Sequence, residues 1–412
     1  MNKHTDCVVI GGGPAGMVAG LLLARAGIAV TVLEKHADFL RDFRGDTVHP
    51  STMTLLDELG LGEKFHALPH SEIGFVGFPT PDGKTLRVAD FSELRVPHPY
   101  LAMVPQADFL GLLADAAAEE PTFTLRRNTE VTGLIREHGR VVGVRHRDRE
   151  GRTGQVRADL VIAADGRWSL ARRESGLKLK EYSAPFDAWW FRLPRHEGEL
   201  EGRLAPRMRN RGFAAPLPRK GYFQIAFLGP KGKDLRAEGI EQFRTSVAEI
   251  LPELADRVLG IETTDDVKFL DVKVNSLRKW HCDGLLCIGD AAHAMSPVGG
   301  IGVNLAVQDA VAVAALLAGP LRLGRPTEAQ LAKVRRRRAT PTAAVQVAQR
   351  VMHKVIMAPV MAGKRNGPPA SMVWLFGRFP LLPKALARLL GVGVRPERVP
   401  DFARRATEPA KS

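Results

Sequence analysis

Sixteen residues three-quarters of the way along the chain carry its strongest chemical signal. They run from Gly289 and Asp290 through His293, Pro297, Gly299, Gly300 and Gly302 to Val303 and Asn304. The apolar run Leu285 to Ile288 leads in like a buried strand, Asp290 stands at its end, and the glycine-rich loop opens a helix near Gly302. Alone, this is a strand–loop–helix anion site. A second signal lies at the N-terminus. The β-type run Cys7 to Ile10 precedes Gly11, Gly13 and Gly16 in G-x-G-x-x-G spacing, with Pro14 and Ala15 between, and an Ala/Leu-rich helix follows through Ala26. Gly11 permits a tight turn, Gly13 lets backbone approach a pyrophosphate, and Gly16 lets helix and strand pack closely. A second strand, Ile28 to Leu33, ends at Glu34, 18 residues after Gly16, where a carboxylate can accept a ribose hydroxyl. Lys35 leaves an opening for a 2′-phosphate, which Glu34 would repel. Two such motifs, nearly 280 residues apart in sequence, point to FAD rather than NAD.

Other reactive residues carry two readings each. His49 serves either as a proton acceptor facing flavin or substrate, or as a solvent-side loop histidine. His293 fits a support for the Asp290 loop better than a base. Trp189-Trp190-Phe191-Arg192-Leu193-Pro194 departs from the tryptophan motif of flavin-dependent halogenases and reads as a hydrophobic strand lining a pocket. The run Arg335 to Arg338 reads as a solvated helix terminus complementing the dipole, with an anion patch as the alternative. No catalytic residue is identified, and the candidates for a catalytic role are His49 and Pro297. No Cys/His spacing suits a metal, and no G-x-S-x-G elbow is present.

These residues need a scaffold to position them. Residues 1 to about 70 read β-α-β, then a loop containing Arg44, then a helix from Ser51 with that serine as N-cap. Residues 71–100 alternate in β fashion, Gln106 to Glu119 reads as a helix, and Val131 to Glu137 forms a hairpin with Arg140 to His146 across His138-Gly139. Leu160 to Ala164 is a buried strand ending in Asp165-Gly166. Strands return over about 180–275, with one helix near Glu238 to Leu251. Helices follow at Val303 to Leu317 and Thr327 to Arg338, and the last 70 residues are helical, basic and interrupted by proline. The expected organisation is α/β: a discontinuous nucleotide domain (1–70, 101–178 and 276–340), a mostly β substrate domain (71–100 and 179–275) and a helical C-terminal region (341–412).

Bulk properties bound the partners. The 412 residues exceed one small core. A net charge of +14, from 59 basic and 45 acidic residues, favours nucleotide cofactors, an anionic substrate or an anionic membrane surface; no nucleic-acid motif accompanies it. Three cysteines exclude a disulfide framework, and Cys7 and Cys287 fall in predicted core strands, which suits a reducing cytoplasm. The first apolar run is itself a predicted strand, so no signal peptide is expected. No stretch reaches ~18 uninterrupted apolar residues. Met372 to Val394 reads as a helix packed on the body, with peripheral membrane contact as the alternative.

Together, Gly11-x-Gly13-x-x-Gly16, Asp165-Gly166 and Gly289-Asp290 with its Pro297 loop make the chain resemble the p-hydroxybenzoate hydroxylase-like class A FAD monooxygenases over about 340 residues. The resemblance implies a Rossmann-like, GR2-type FAD-binding domain. It implies that Gly11, Gly13 and Gly16 hold the ADP pyrophosphate, Glu34 the ribose, and Arg44 cofactor phosphates. Gln106 would contact the flavin chain, Val131 would lie beside the adenine, and Asp165 would mark where FAD and nicotinamide approach. Asp290 would bond the ribityl chain, Pro297 would border the substrate, and Gly300 to Asn304, including Gly302 and Val303, would offer N–H groups to the flavin pyrimidine. A helix N-terminus there would stabilise the reduced flavin's negative edge. The implied activity is NAD(P)H-dependent oxygenation of a phenol-like or polycyclic aromatic compound through non-covalent FAD and a flavin C4a-hydroperoxide, by a monomer or homodimer. Alternatives on the same motifs are an FAD halogenase, for which no catalytic lysine or full tryptophan motif is found, and a lipid or prenyl reductase. A non-catalytic nucleotide-binding or membrane-associated protein is a third.

Overall fold

The strand leading into the first glycine motif, Lys3–Ile10, is apolar at consecutive positions because both its faces are covered. In the computed structural model, which describes residues 3–40, 47–80 and 84–406, this strand lies inside a parallel sheet. Val30–Leu33 and then Phe123–Arg126 extend the sheet on one side. Thr153–Ala163 and then Leu285–Cys287 extend it on the other. The register sets Cys7 beside Val30 and Leu160, and Val161 beside Leu285. The carboxyl ends of these strands therefore deliver Gly11, Glu34, Asp165 and Asp290 to one edge, where ligands bind in open α/β sheets. The hairpin Thr129–Glu137 and Arg140–Asp148 forms across His138-Gly139 as the sequence predicts.

Helices Pro14–Arg25 and Gly302–Arg322 pack against each other. Leu21, Leu22 and Leu23 on the first and Val311 and Val313 on the second are fully enclosed, each contributing roughly 1.5–3 kcal/mol by burial. Gly302–Arg322 is long and apolar enough to cross a membrane, but 78% of its most apolar window is buried inside the protein. It is a core helix, broken in composition by Asn304, Gln308 and Asp309.

Besides the two-stranded ladder of Leu179–Tyr182 with Val274–Leu277, two five-stranded sheets complete the β structure of the described residues. In one, Ser71–Pro79 pairs with Thr85–Asp90 and with Leu101–Met103, which pairs in turn with Thr47–Val48. Segments assigned by sequence to the nucleotide domain thus lend strands to the substrate side. In the other, Phe186–Pro194 pairs with Tyr222–Pro230, and Gly212–Pro218 joins the latter. The amphipathic helix Ile240–Ile250 covers that sheet through Phe243 against Phe191 and Phe227.

Three expectations change. Helix Pro50–Glu58 begins one residue before Ser51, with Pro50 at its first position and His49 as N-cap. The Ser51 hydroxyl instead bonds Asn304 Oδ1 and the Gly391 carbonyl. The boundary expected at residue 340 falls inside one unbroken helix, Glu328–Met352, capped by a Thr327–Gln330 box. Arg338 lies mid-helix and is 1% exposed, so the arginine run is no solvated terminus. Helical spacing explains it: Leu331, Val334, Arg338, Thr342 and Val345 form one buried stripe. Its guanidinium is paired with Asp309 at 3.1 Å and Glu397 at 3.3 Å.

Candidate cofactor and substrate site

At the sheet edge the backbone leaves Lys3–Ile10 through Gly11 at φ +100°, a conformation that favours glycine. A Cβ at Gly11 would stand 2.6 Å from the Ala164 carbonyl, and one at Gly16 only 1.9 Å from the Gly11 carbonyl. These two glycines are therefore fixed by packing. Gly13 is different: it is the N-cap of Pro14–Arg25, its φ is an ordinary −77°, and no atom lies within 4 Å of a Cβ built there. Its openness serves what lies in front of the helix N-terminus, where Gly11, Gly13, Pro14 and Ala15 line a cleft.

Glu34 sits beside them, 4% exposed. Its carboxylate accepts the Gly12 N–H at 2.8 Å and the His36 N–H at 2.9 Å, which orients it at the cleft wall. Lys35, Gln106, Val131, Asp165 and Asp290 line the same cleft. Asp165 accepts the Ala171 N–H at 3.3 Å through one oxygen, and its Oδ1 is buried with no hydrogen-bond partner in the protein. Burial raises its pKa. Asp290 pairs with Arg167 at 3.2 Å.

Past Asp290 the chain turns through Pro297, whose carbonyl accepts the Gly300 N–H at 3.0 Å. That bond takes up the N–H the resemblance gave to the flavin at Gly300. Gly302–Arg322 starts at Ile301, so by helix geometry the N–H groups of Gly302, Val303 and Asn304 have no carbonyl one turn back. Pro297, Gly300, Gly302 and Val303 line the cleft, while the side chain of buried Asn304 turns away, its Oδ1 accepting from the hydroxyls of Ser51 and Thr52. Arg44 lies outside the described residues.

His49 is neither at solvent nor a base facing the cleft. It is fully buried, with Nδ1 2.9 Å from the Leu390 carbonyl and Nε2 3.1 Å from the Gly300 carbonyl. Burial outweighs those carbonyls and pushes its pKa down to about 4, so the ring is neutral and acts as a brace. His293, 1% exposed, lies against Trp280 with its ring tilted by 42° and bonds Asp309 at 2.5 Å. Asp309 also accepts the Gly289 N–H at 3.1 Å. Asp309, Arg338 and Glu397 thus form a buried network that fixes the Gly289-Asp290 turn from behind. Sequence reasoning missed it, although the buried stripe containing Arg338 was legible.

The cleft continues into a largely apolar chamber, and the whole cavity measures about 1220 Å³. Phe78 and Met103 from one sheet, Phe91 just past its strand Thr85–Asp90, and Trp190, Phe213 and Leu228 from the other sheet line it. Trp190 therefore lies on the pocket-lining strand the sequence predicts. The roof is C-terminal: helices Ala370–Arg378 and Leu381–Gly391 contribute Met372, Phe376, Leu386 and Leu390 to the cavity, while Trp374, Leu375 and Leu381 stay exposed. The open space at Gly13, the orphaned Asp165 oxygen and two helix N-termini along one cleft fit an extended dinucleotide bearing a flat ring, with room beyond the ring for a second molecule.

Known proteins with this arrangement agree. Residues 4–348 match the family described as FAD binding domain. The chain is 33% identical over 402 residues to 6-methylpretetramide 4-monooxygenase of Streptomyces rimosus, covering 94% of this chain and 92% of that relative. It is 32% identical over 328 residues to a 12-dehydrotetracycline 5-monooxygenase/anhydrotetracycline 6-monooxygenase of Streptomyces rimosus subsp. rimosus, covering 74% of this chain and 61% of the relative. Among solved structures, the anhydrotetracycline hydroxylase OxyS of Streptomyces rimosus superposes with a TM-score of 0.75 at 25% identity, over 95% of this chain and 77% of that one.

Proposed function

Because this chain belongs to the FAD-dependent aromatic monooxygenases, we propose that it hydroxylates a polycyclic, phenol-type compound with NAD(P)H as reductant. The observation that carries this reading is the apolar chamber of the 1220 Å³ cavity, opening directly off the Pro297–Gly300 end of the cofactor cleft. Its aromatic and aliphatic lining suits fused rings rather than a small charged acid. The names of the relatives support the same class: the two curated ones act on 6-methylpretetramide and on 12-dehydrotetracycline or anhydrotetracycline.

Bound FAD, reduced by NAD(P)H, supplies the electron transfer and oxygen activation, and one atom of O2 reaches an electron-rich carbon. The residues of the chain do the rest. The N-terminus of Pro14–Arg25 and the open Gly13 would hold the pyrophosphate, and Glu34 the adenosine ribose. Asp290, oriented by Arg167, would accept from the ribityl hydroxyls. The N-terminus of Gly302–Arg322 would favour negative charge on the ring edge. The chamber excludes water and positions the substrate. No side chain described here is required as a base, since a phenolic substrate is already electron-rich.

NAD(P)H oxidation measured against a panel of phenols, naphthols and polycyclic phenols tests this, under air and anaerobically, with product masses recorded. Substrate-stimulated oxidation and a product one oxygen heavier are expected for a polycyclic member. Stimulation confined to single-ring phenols, or none with either nicotinamide, would overturn the substrate class or the reductant respectively.

A further inference from the structure

Sequence spacing offered no metal site, yet among the described residues Asp57, His66 and His98 bring one ligand atom each to within 4.8 Å of one another. The spacing hid the group because each member comes from a different element. Asp57 lies in the last turn of the helix Pro50–Glu58, His66 ends the short helix Gly62–His66, and His98 lies in the segment before Leu101–Met103.

The three side chains are arranged as ligands rather than as an ordinary charge pair. His98 Nε2 stands 2.6 Å from Asp57 Oδ2, which alone would be a histidine–aspartate bond. The His66 ring lies 4.7 Å from the His98 ring, where two imidazolium charges would repel. His66 Nδ1 is 3.3 Å from the Tyr100 hydroxyl, while its Nε2 is buried with no hydrogen-bond partner. That is the pattern of a metal-ligating histidine: one nitrogen fixed by an outer partner, the other left for the ion.

We propose that Asp57, His66 and His98 form a binding site for a divalent transition metal of the Zn2+ class. Two imidazoles and one carboxylate favour such an ion over Mg2+ or Ca2+, which take oxygen ligands. Tetrahedral Zn2+ with bonds near 2.0–2.1 Å sets its ligand atoms roughly 3.3 Å apart. Binding would widen the 2.6 Å His98–Asp57 contact and bring all three ligand atoms, now within 4.8 Å of one another, to that spacing, leaving a fourth position for water. His70, whose Nδ1 is 2.7 Å from the Leu68 carbonyl, lies beside the group but outside it.

The site would fasten elements that also shape the cofactor cleft. The helix carrying Asp57 begins at His49, Ser51 and Thr52, which hold Gly300 and Asn304. The segment carrying His98 runs into Met103 and Gln106, both lining the cavity. The metal is thus a staple on the outer end of these elements, away from the reacting centre.

The test uses the FAD-loaded protein, stripped with EDTA and returned to chelator-free buffer. Titration with Zn2+ by calorimetry, with metal counted after gel filtration, should give one ion per chain at a Kd of about a micromolar or tighter. Thermal unfolding should shift upward with added Zn2+. His66→Gln and His98→Gln should each weaken binding at least about tenfold, whereas His70→Gln should leave it unchanged. Flavin content and metal-free melting temperature verify that each variant is folded, and the loop variant at His98 serves if His66→Gln is not. No saturable binding below about 100 µM, or equal binding in folded variants of both ligands, would overturn the proposal.

Discussion

The cofactor cleft and the apolar chamber adjoin in one cavity but are built from different parts of the chain's chemistry. The cleft is made of backbone: glycines at Gly11 and Gly13, strand ends, two helix N-termini, and the carboxylates Glu34, Asp165 and Asp290. The chamber is made of side chains drawn from residues as far apart as Ile73 and Leu390. Backbone geometry tolerates few substitutions, because a Cβ either collides or fills the ligand's space. A wall of apolar side chains tolerates many, provided volume and polarity are kept. One region therefore fixes the chemistry and the other is free to choose the substrate.

The largest expected effect attacks the cleft from behind. Arg338 is buried between Asp309 and Glu397, and Asp309 in turn holds Gly289 and His293. Arg338→Met would leave buried Asp309 without its guanidinium partner, with Glu397 keeping only Arg337 at 2.6 Å, and should destabilise the fold by about 3–5 kcal/mol. Urea unfolding of the FAD-loaded protein measures this. A loss below about 1 kcal/mol would mean that the network is as solvent-screened as a surface pair.

Gly13→Val sharpens the distinction between a fold glycine and a ligand glycine. Nothing within the protein meets a side chain there and φ is ordinary, so the apoprotein should melt as wild type does. The pyrophosphate's space would be filled, and FAD should bind at least about a hundredfold more weakly. Flavin absorbance after dialysis against known FAD reads it out. Wild-type occupancy would move the pyrophosphate elsewhere.

These two positions also show why one region was legible and the other was not. Gly11, Gly13, Gly16 and Asp290 sit in contiguous motifs whose order encodes strand, turn and helix, so their shared edge could be foreseen. Gly300 was harder: its type signalled backbone approach, but that its N–H closes a turn on Pro297 depends on the loop's conformation. His49 was ambiguous because its partners, Leu390 and Gly300, are 341 and 251 residues away. Chamber residues such as Phe213 and Met372 look like any core residue in sequence, and only packing shows that they face an opening. The C-terminal region reads as helical in sequence, but that two of its helices roof the chamber is not legible there, since a roof is defined by what it covers.

Ala215→Phe tests the chamber alone. Ala215 lines the cavity from the strand Gly212–Pro218, and a phenyl group there would take up substrate space. The KM for a polycyclic substrate should rise about tenfold, or about 1.4 kcal/mol. FAD content and substrate-free NAD(P)H oxidation should stay at wild-type values. Loss of FAD would show that the two regions are mechanically one.

The smallest effect involves a histidine from each region. His49 braces the cleft at Gly300, and His353, bonded at 3.0 Å to Ser296 Oγ, stands behind the chamber wall. Burial lowers both pKa values to about 4. Above about pH 7.5 neither the folded nor the unfolded chain protonates these rings appreciably, so they add no pH dependence there. As pH falls from 6.5 towards 4, the unfolded chain takes up protons that the folded chain refuses, and stability declines. For His49 the loss should be about 0.8 kcal/mol at pH 6, steepening towards about 1.4 kcal/mol per pH unit below it. Denaturant unfolding at pH 7.5, 6 and 5 should therefore fall less steeply for His49→Gln than for wild type. His353→Gln should flatten the curve by a similar amount, and the double variant by the sum, because the two rings share no partner. Parallel curves for wild type and His49→Gln would mean that folding leaves the ring's pKa unchanged, and a steeper fall for the variant would mean that the Leu390 and Gly300 carbonyls hold the ring cationic.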